Sequence, residues 1–170
     1  MPDLRPVQRG VVATVFGPDS GDLVVTDLTL TPKWRSFSGY PDVAPGTSEG
    51  TGDSLIWSVS PGEWTALGER PDSEVVDLTH VRAMFRLTGD DSTDVMSRLC
   101  SLDLGEGMFP NGAAARTLFA GVATELVRDD TLDAPSYVIL PSRSFGEYVH
   151  GAILDAGREF GLVLGASGNE

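Results

Sequence analysis

The sequence predicts an α+β protein with mostly antiparallel sheets and a few helices. Three observations predict it. Short alternating apolar runs recur along the chain, separated by Gly, Pro and Asp, as antiparallel strands and hairpins require. Two stretches carry the three-to-four residue spacing of a helix, near 92–100 and 145–160. From residue 73 the order reads strand, helix, strand, strand, strand, helix, which layers two helices on one face of a sheet.

Each element has a local reason. The run VVATVF near the amino terminus reads as a short strand followed by the turn-rich GPDSGD. DLVVTDLTL, residues 22–30, is β-rich, with Leu23, Val25 and Asp27 on one side. Residues 32–53 hold Pro32, Gly39, Pro41, Pro45, Gly46, Gly50 and Gly52 among Ser and Thr, and read as loop. Within them, residues 44–53 read as a flexible connection that could be deleted at little cost.

LIWSVSPGEWTALGE then places two short β runs around Ser60-Pro61-Gly62-Glu63. Pro at the second and Gly at the third turn position is a hairpin signal. Trp57 and Trp64 belong to that hairpin, as core or as an interface anchor rather than as a ligand-stacking pair. In residues 81–88, Val81, Ala83, Phe85 and Leu87 alternate with Arg82, Met84, Arg86 and Thr88, a half-buried strand with an outward arginine face.

Asp90 or Asp91 can cap a helix over 92–100, with Asp94 in its first turn and Val95, Met96 and Leu99 on one side. Strands follow at 114–120 and 122–128, broken at Gly121, and SYVILP is a buried strand. Ser144 and Glu147 have the spacing of a capping box. The helix they open carries Phe145, Tyr148, Val149, Ala152, Ile153, Ala156 and Phe160 as its apolar stripe, and Gly161 can stop it.

Composition narrows the function. The 170 residues suit one domain or one domain with an extension. Net charge is −13, the wrong sign for phosphate backbones or anionic membranes. Mean hydropathy is −0.03, ordinary for a folded chain, and no run approaches a membrane span. No signal-type segment opens the sequence, so the expected setting is the cytoplasm. Lys33 is the single lysine, which removes a P-loop and most Schiff-base chemistry. Cys100 is the single cysteine, among Met96, Leu99 and Leu102, and reads as a small buried hydrophobe. With two histidines, zinc-finger spacing does not arise.

Catalytic candidates are few. Asp77, Thr79 and His80 lie close in sequence, but neighbours on a strand point to opposite faces, which favours a structural histidine. His150 falls off the helical stripe and reads as solvated. Asp90-Asp91 and Asp129-Asp130 have local reasons, a helix cap and a turn. Arg82 and Arg86 could grip a carboxylate of a ligand or of a partner, or lie on a salt-bridged face. No catalytic, cofactor-binding or metal-ligating residue is assigned, which points to a binding or subunit role.

An ordered set of motifs adds to this. DLTHVRAMFRLTGDDSTDVMSRLCSLDL, MFPNGAAARTLFAGVATEL and SYVILPSRSFGEYVHGAILDAGREFG resemble successive segments of the gamma subunit of heterotetrameric sarcosine oxidase. WSVSPGEWTALGE is similar to that family's Gly-Pro-Asp-Glu-Trp hairpin. The resemblance spans about 54–161, so the chain divides into a divergent β- and loop-rich region at 1–53, a gamma-like α+β domain at 54–161 and a tail at 162–170.

The resemblance implies a reduced form of the folate-binding aminomethyltransferase fold. It implies a non-catalytic subunit packed against an alpha subunit, with beta and delta completing the complex. FAD, FMN, NAD and tetrahydrofolate would belong to the partners, and zinc to delta. The complex would demethylate sarcosine or a related N-methyl amine, giving glycine, hydrogen peroxide and methylenetetrahydrofolate. Two positions depart from the related patterns. The aminomethyltransferases carry an acidic pair where Gly121-Val122-Ala123-Thr124-Glu125-Leu126 keeps Glu125 alone. Ser101 stands where the gamma pattern has Pro. The readings left beside the subunit are a stand-alone folate-dependent transferase, with Glu125, Arg82 and Arg86 in play, and a generic adaptor.

Overall fold

A computed structural model describes residues 12–15, 23–37, 43–130 and 134–162. The amino-terminal part supplies strands β1 (Val12–Val15), β2 (Leu23–Asp27), β3 (Lys33–Ser36) and β4 (Thr47–Glu49). Strands β5 (Ile56–Ser60) and β6 (Glu63–Leu67) form the expected hairpin. Gly62 at its third turn position has φ of 73°, a conformation that favours glycine and completes a type II turn after Pro61. A register shift between Trp57 and Ser60 pairs Trp57 with Thr65, so the two tryptophans are not opposite each other. Then follow β7 (Val76–Asp77), β8 (Phe85–Thr88), α1 (Ser92–Leu99), β9 (Ala114–Phe119), β10 (Val122–Arg128), β11 (Ser136–Pro141) and α2 (Gly146–Gly157).

The strands make two sheets, of order β1-β2-β8-β11-β10-β9 and β4-β5-β6-β3-β7, with every pairing antiparallel. With two helices added, the α+β expectation holds. The larger sheet is the middle of three layers. On one face Phe85, Leu87, Leu126, Tyr137 and Ile139 pack with Val95 and Met96 of α1 and Val149 and Ile153 of α2. On the other, Met84, Val127, Val138 and Leu140 pack with Leu55, Trp57 and Leu67 of the smaller sheet. Covered on both sides, β11 buries all six of its residues. Each core side chain of leucine size contributes about 1.5–3 kcal/mol, so these layers dominate stability.

Five local expectations need correction. The loop expected at 32–53 contains β3, missed because its buried residues are Lys33, Arg35 and Ser36 rather than apolar ones. Residues 44–53 are no free connection: β4 pairs with β5, and Thr51 and Gly52 both bond Asp129. The strand expected at 81–88 begins only at Phe85, because the Val81 and Arg82 amides donate to the Leu78 carbonyl and turn the chain.

The Ser144–Glu147 capping box does not form. A 3-10 turn at Arg143–Phe145 leads into α2 instead, with Phe145 at the N-cap. The buried side of α2 is accordingly Gly146, Val149, Ile153 and Gly157, while Phe145 and Tyr148 are exposed. Asp91 does take the N-cap position of α1, without a side-chain cap bond. Gly161, with φ of 81°, ends the last helical turn as expected.

Candidate functional site

The most concentrated chemistry lies between the two sheets. Residues 125 and 127 of β10 face the smaller sheet, and Val127 joins the apolar layer there. Glu125 shares that face at 1% exposure. Its carboxylate accepts Arg35 Nη2 at 2.6 and 2.7 Å, Arg116 Nη2 at 3.0 Å and Trp57 Nε1 at 3.1 Å. Four strands from both sheets therefore converge on one side chain.

The cluster closes through Glu63, which pairs with Arg35 Nη1 and Arg116 Nη2, both at 3.1 Å. Arg35 also donates through Nε and Nη2 to Thr65 Oγ1, at 3.0 and 2.9 Å. Two arginines balance two carboxylates. Burial pushes the Glu125 carboxyl up, but the charge of Arg35 and the bonds from Arg116, Trp57 and Arg35 outweigh it and hold the group below the usual carboxylate range. A carboxylate kept ionised by this many donors is a poor proton shuttle and a strong inter-sheet tie. The signal in the sequence was a lone Glu in the apolar run VATELV, on the face of Val127.

Two further ion sets pin loops to the same sheet. Arg86 Nη2 pairs with Asp129 at 2.7 Å, and Asp129 also accepts Thr51 Oγ1 and the Gly52 amide. Arg128 is buried, with Asp130 and Glu106 as ion partners and the Phe109 carbonyl as a third acceptor. Burial disfavours its charge, yet these carboxylates raise its pKa above the ordinary arginine value. The Asp129-Asp130 pair is thus two structural anchors. The arginine face expected to point outward instead points at the smaller sheet. Arg86 is consumed there by Asp129, while Arg82 is half-buried beside the Glu125 cluster.

The other candidates do not converge. Asp77 Oδ1 accepts the Thr79 amide at 2.8 Å in a local turn, and the Thr79 side chain first, with that amide second, draws the Asp77 carboxyl below its usual range. Thr79 Oγ1 accepts the Lys33 amide at 3.2 Å, and His80 is exposed and makes no hydrogen bond to Asp77 or Thr79. His150 is not solvated. It stacks on Phe85 with ring centroids 5.4 Å apart, its Nε2 is buried without a partner among the described residues, and burial lowers its pKa.

Cys100 is buried, which raises its thiol pKa and fits the hydrophobe reading. Lys33 is fully buried, its Nζ bonded to the Thr29 and Thr31 carbonyls at 2.8 and 2.7 Å. Burial first, and Arg143 second, lower it to about 8. Trp57 and Trp64 are both core, as the hairpin reading allowed. A cleft of about 480 Å³ is lined by Arg35, Phe37, Arg70, Glu74 and Val76, but Arg35 there is already paired with Glu63 and Glu125. Among the described residues, no helix is long and apolar enough to cross a membrane.

No protein family model matches the sequence, and no curated protein matches it significantly. A solved structure does match in fold: heterotetrameric sarcosine oxidase from Corynebacterium sp. U-96, in complex with pyrrole 2-carboxylate. The TM-score is 0.73 at 21% identity, over 90% of this chain and 91% of that one. The chain therefore has, over nearly its whole length, the fold of a subunit of heterotetrameric sarcosine oxidase.

Proposed function

We propose that this protein is the non-catalytic, gamma-type subunit of a heterotetrameric oxidase that demethylates sarcosine or a related N-methyl amine. It would work in the cytoplasm, packed chiefly against an alpha subunit, with beta and delta completing the assembly. The flavins, the dinucleotide, tetrahydrofolate and zinc would be held by those partners. The observation that carries the reading is the end-to-end fold match with a chain of such an oxidase, covering 91% of that chain.

The chemistry of the inter-sheet cluster supports it. Glu125 is the one acidic residue kept where the folate-using relatives carry a pair, and here it is tied by Arg35, Arg116 and Trp57. A group so held is available neither to bind a ligand amine nor to move a proton. The test is expression of the full chain with and without the alpha, beta and delta subunits of a sarcosine oxidase from the same source. The expected result is a flavin-coloured complex that oxidises sarcosine, with the isolated chain inactive. An isolated chain that binds tetrahydrofolate tightly and transfers a one-carbon unit would overturn the proposal in favour of a stand-alone transferase.

A further inference from the structure

The smaller sheet does not cover the whole of the larger one. Register makes the uncovered part explicit. Leu140, Glu125 and Arg116 form one transverse row across β11, β10 and β9, and this row is capped by the ion cluster. The next row on the same face begins at Arg82, which bridges Ser142. Thr124 pairs with Pro141, so Ser142 lies next to Ala123, and Ala123 pairs with Leu118. The row runs Arg82, Ser142, Ala123, Leu118: a cation, two small residues and an apolar end. Arg82 and Ser142 are half-buried, Ala123 is exposed and Leu118 is 61% exposed.

Two features set this strip apart. The Arg82 guanidinium has no hydrogen bond or ion pair among the described residues. The neighbouring charges already match one another, Arg35 and Arg116 against Glu63 and Glu125. Arg82 is therefore the uncompensated cation of the group, and burial disfavours its charge until an anion arrives. Apolar side chains also gather at this end of the sheet. The Arg143 amide donates to Val81, and the Phe145 amide donates to Ser142, the bridge partner of Arg82. Tyr148 reaches the Ala120 carbonyl at the β9–β10 turn. Val81, Phe145 and Tyr148 are each about half exposed. Phe145 and Tyr148 lie at this end of the sheet but on the α2 side, and the strip itself sets an arginine beside small residues and an exposed leucine, a mixture suited to an interface.

We propose that this strip is a docking surface for a different protein chain, which sets a carboxylate against Arg82 and an apolar side chain on Ala123 and Leu118. Charge selects the occupant. A second copy would bring another −13 against the first, and a symmetric pairing of the strip, which holds no carboxylate, would offer Arg82 no anion. An acidic side chain in an apolar surround satisfies both halves of the strip at once. The inference rests on the subunit reading above and names the face that reading would use.

The test uses the full chain assembled with its flavoprotein partners, comparing wild type with Arg82→Glu, Leu118→Asp and Met108→Asp. Met108 is 71% exposed on the loop beside Phe109, whose carbonyl binds Arg128 at the opposite end of β10. Arg82→Glu and Leu118→Asp should each weaken assembly by about tenfold or more, while Met108→Asp leaves it unchanged. Leu118 is exposed, so its variant keeps the test open if Arg82→Glu does not fold. Assembly of wild-type strength in folded variants of both positions would overturn the face and leave the subunit reading intact. A wild-type chain that assembles with nothing would overturn both. Succinate binding by the isolated chain, lost in Arg82→Glu while assembly persists, would make the strip a small-anion site and sink the docking proposal.

Discussion

The two faces of the larger sheet solve the same packing problem with opposite chemistry. Toward the helices, Leu126, Tyr137 and Ile139 meet Val149 and Ile153, and the layer is mostly apolar, with His150 stacked on Phe85 and Arg128 over the Tyr137 ring at its margin. Toward the smaller sheet, the same strands present Val127, Val138 and Leu140, but also Glu125, Arg86 and Arg116. β10 carries both solutions in alternate residues, Leu126 on one side and Glu125 on the other. An apolar layer is non-directional and tolerates sliding. A carboxylate that must meet Arg35, Arg116 and Trp57 together fixes how the second sheet lies on the first. The ionic side therefore sets position, and the helical side supplies bulk stability.

This contrast can be broken by mutation. Glu125→Ala strips the shared acceptor from Arg35, Arg116 and Trp57 and leaves buried positive charge. The expected loss is about 3–5 kcal/mol of unfolding free energy in a urea titration. A loss near that of a surface change would mean that the ions are ornamental. The pH dependence has a definite sign. The folded pKa of Glu125 is depressed, so its contribution is complete above about pH 4.3 and is lost as pH falls through the folded value. Wild type should lose more stability than the variant on acidification.

Asp129→Ala comes next, at about 2–3 kcal/mol, because Arg86 loses its counter-ion and Thr51 and Gly52 lose their anchor. Limited proteolysis should then cut first near residue 50. A variant that resists cleavage there would mean that the β4–β5 pairing alone holds the segment and the Asp129 bonds add little, whereas equal cleavage of wild type would restore the flexible connection at 44–53. On the helical side, Ile153→Val should cost about 1 kcal/mol, independent of salt and pH, since it removes one buried methylene and no charge.

How far the fold could be read from the sequence follows the same division. The hairpin around Pro61-Gly62, the strands at 114–128 and 136–141, and both helices were legible because each buries apolar residues at its own period. β3 was not, since Lys33, Arg35 and Ser36 look like surface until Glu125, distant in sequence, is placed beside them. β4 was hidden in Gly, Ser and Thr for the same reason: its value lies in pairing with β5 and in the nearby Asp129 bonds. Local pattern also fails at α2, since helical spacing puts Phe145 and Tyr148 on the apolar stripe while the fold leaves both exposed. Of the Glu125 cluster, only the lone Glu in an apolar run was legible, because its partners Arg35 and Trp57 sit on the other sheet, far away in sequence.

The smallest effect expected is also the one that separates the two faces most cleanly by pH. His150 belongs to the helical side, stacked on Phe85 with its Nε2 buried and unpartnered among the described residues. Burial lowers its pKa, and Asp27 opposes that only in part. The fold therefore prefers the neutral ring. As pH falls below about 6.5, the unfolded chain takes up the proton first, and stability declines until the folded value is reached. Glu125 titrates in a window well below this one. A His150→Leu variant, which keeps an apolar contact on Phe85, should flatten the melting temperature between pH 7 and 5 while leaving the steeper acid limb in place. An unchanged slope between pH 7 and 5 would mean that the ring is protonated without cost, and that the helical face is less dry than its apolar contacts imply.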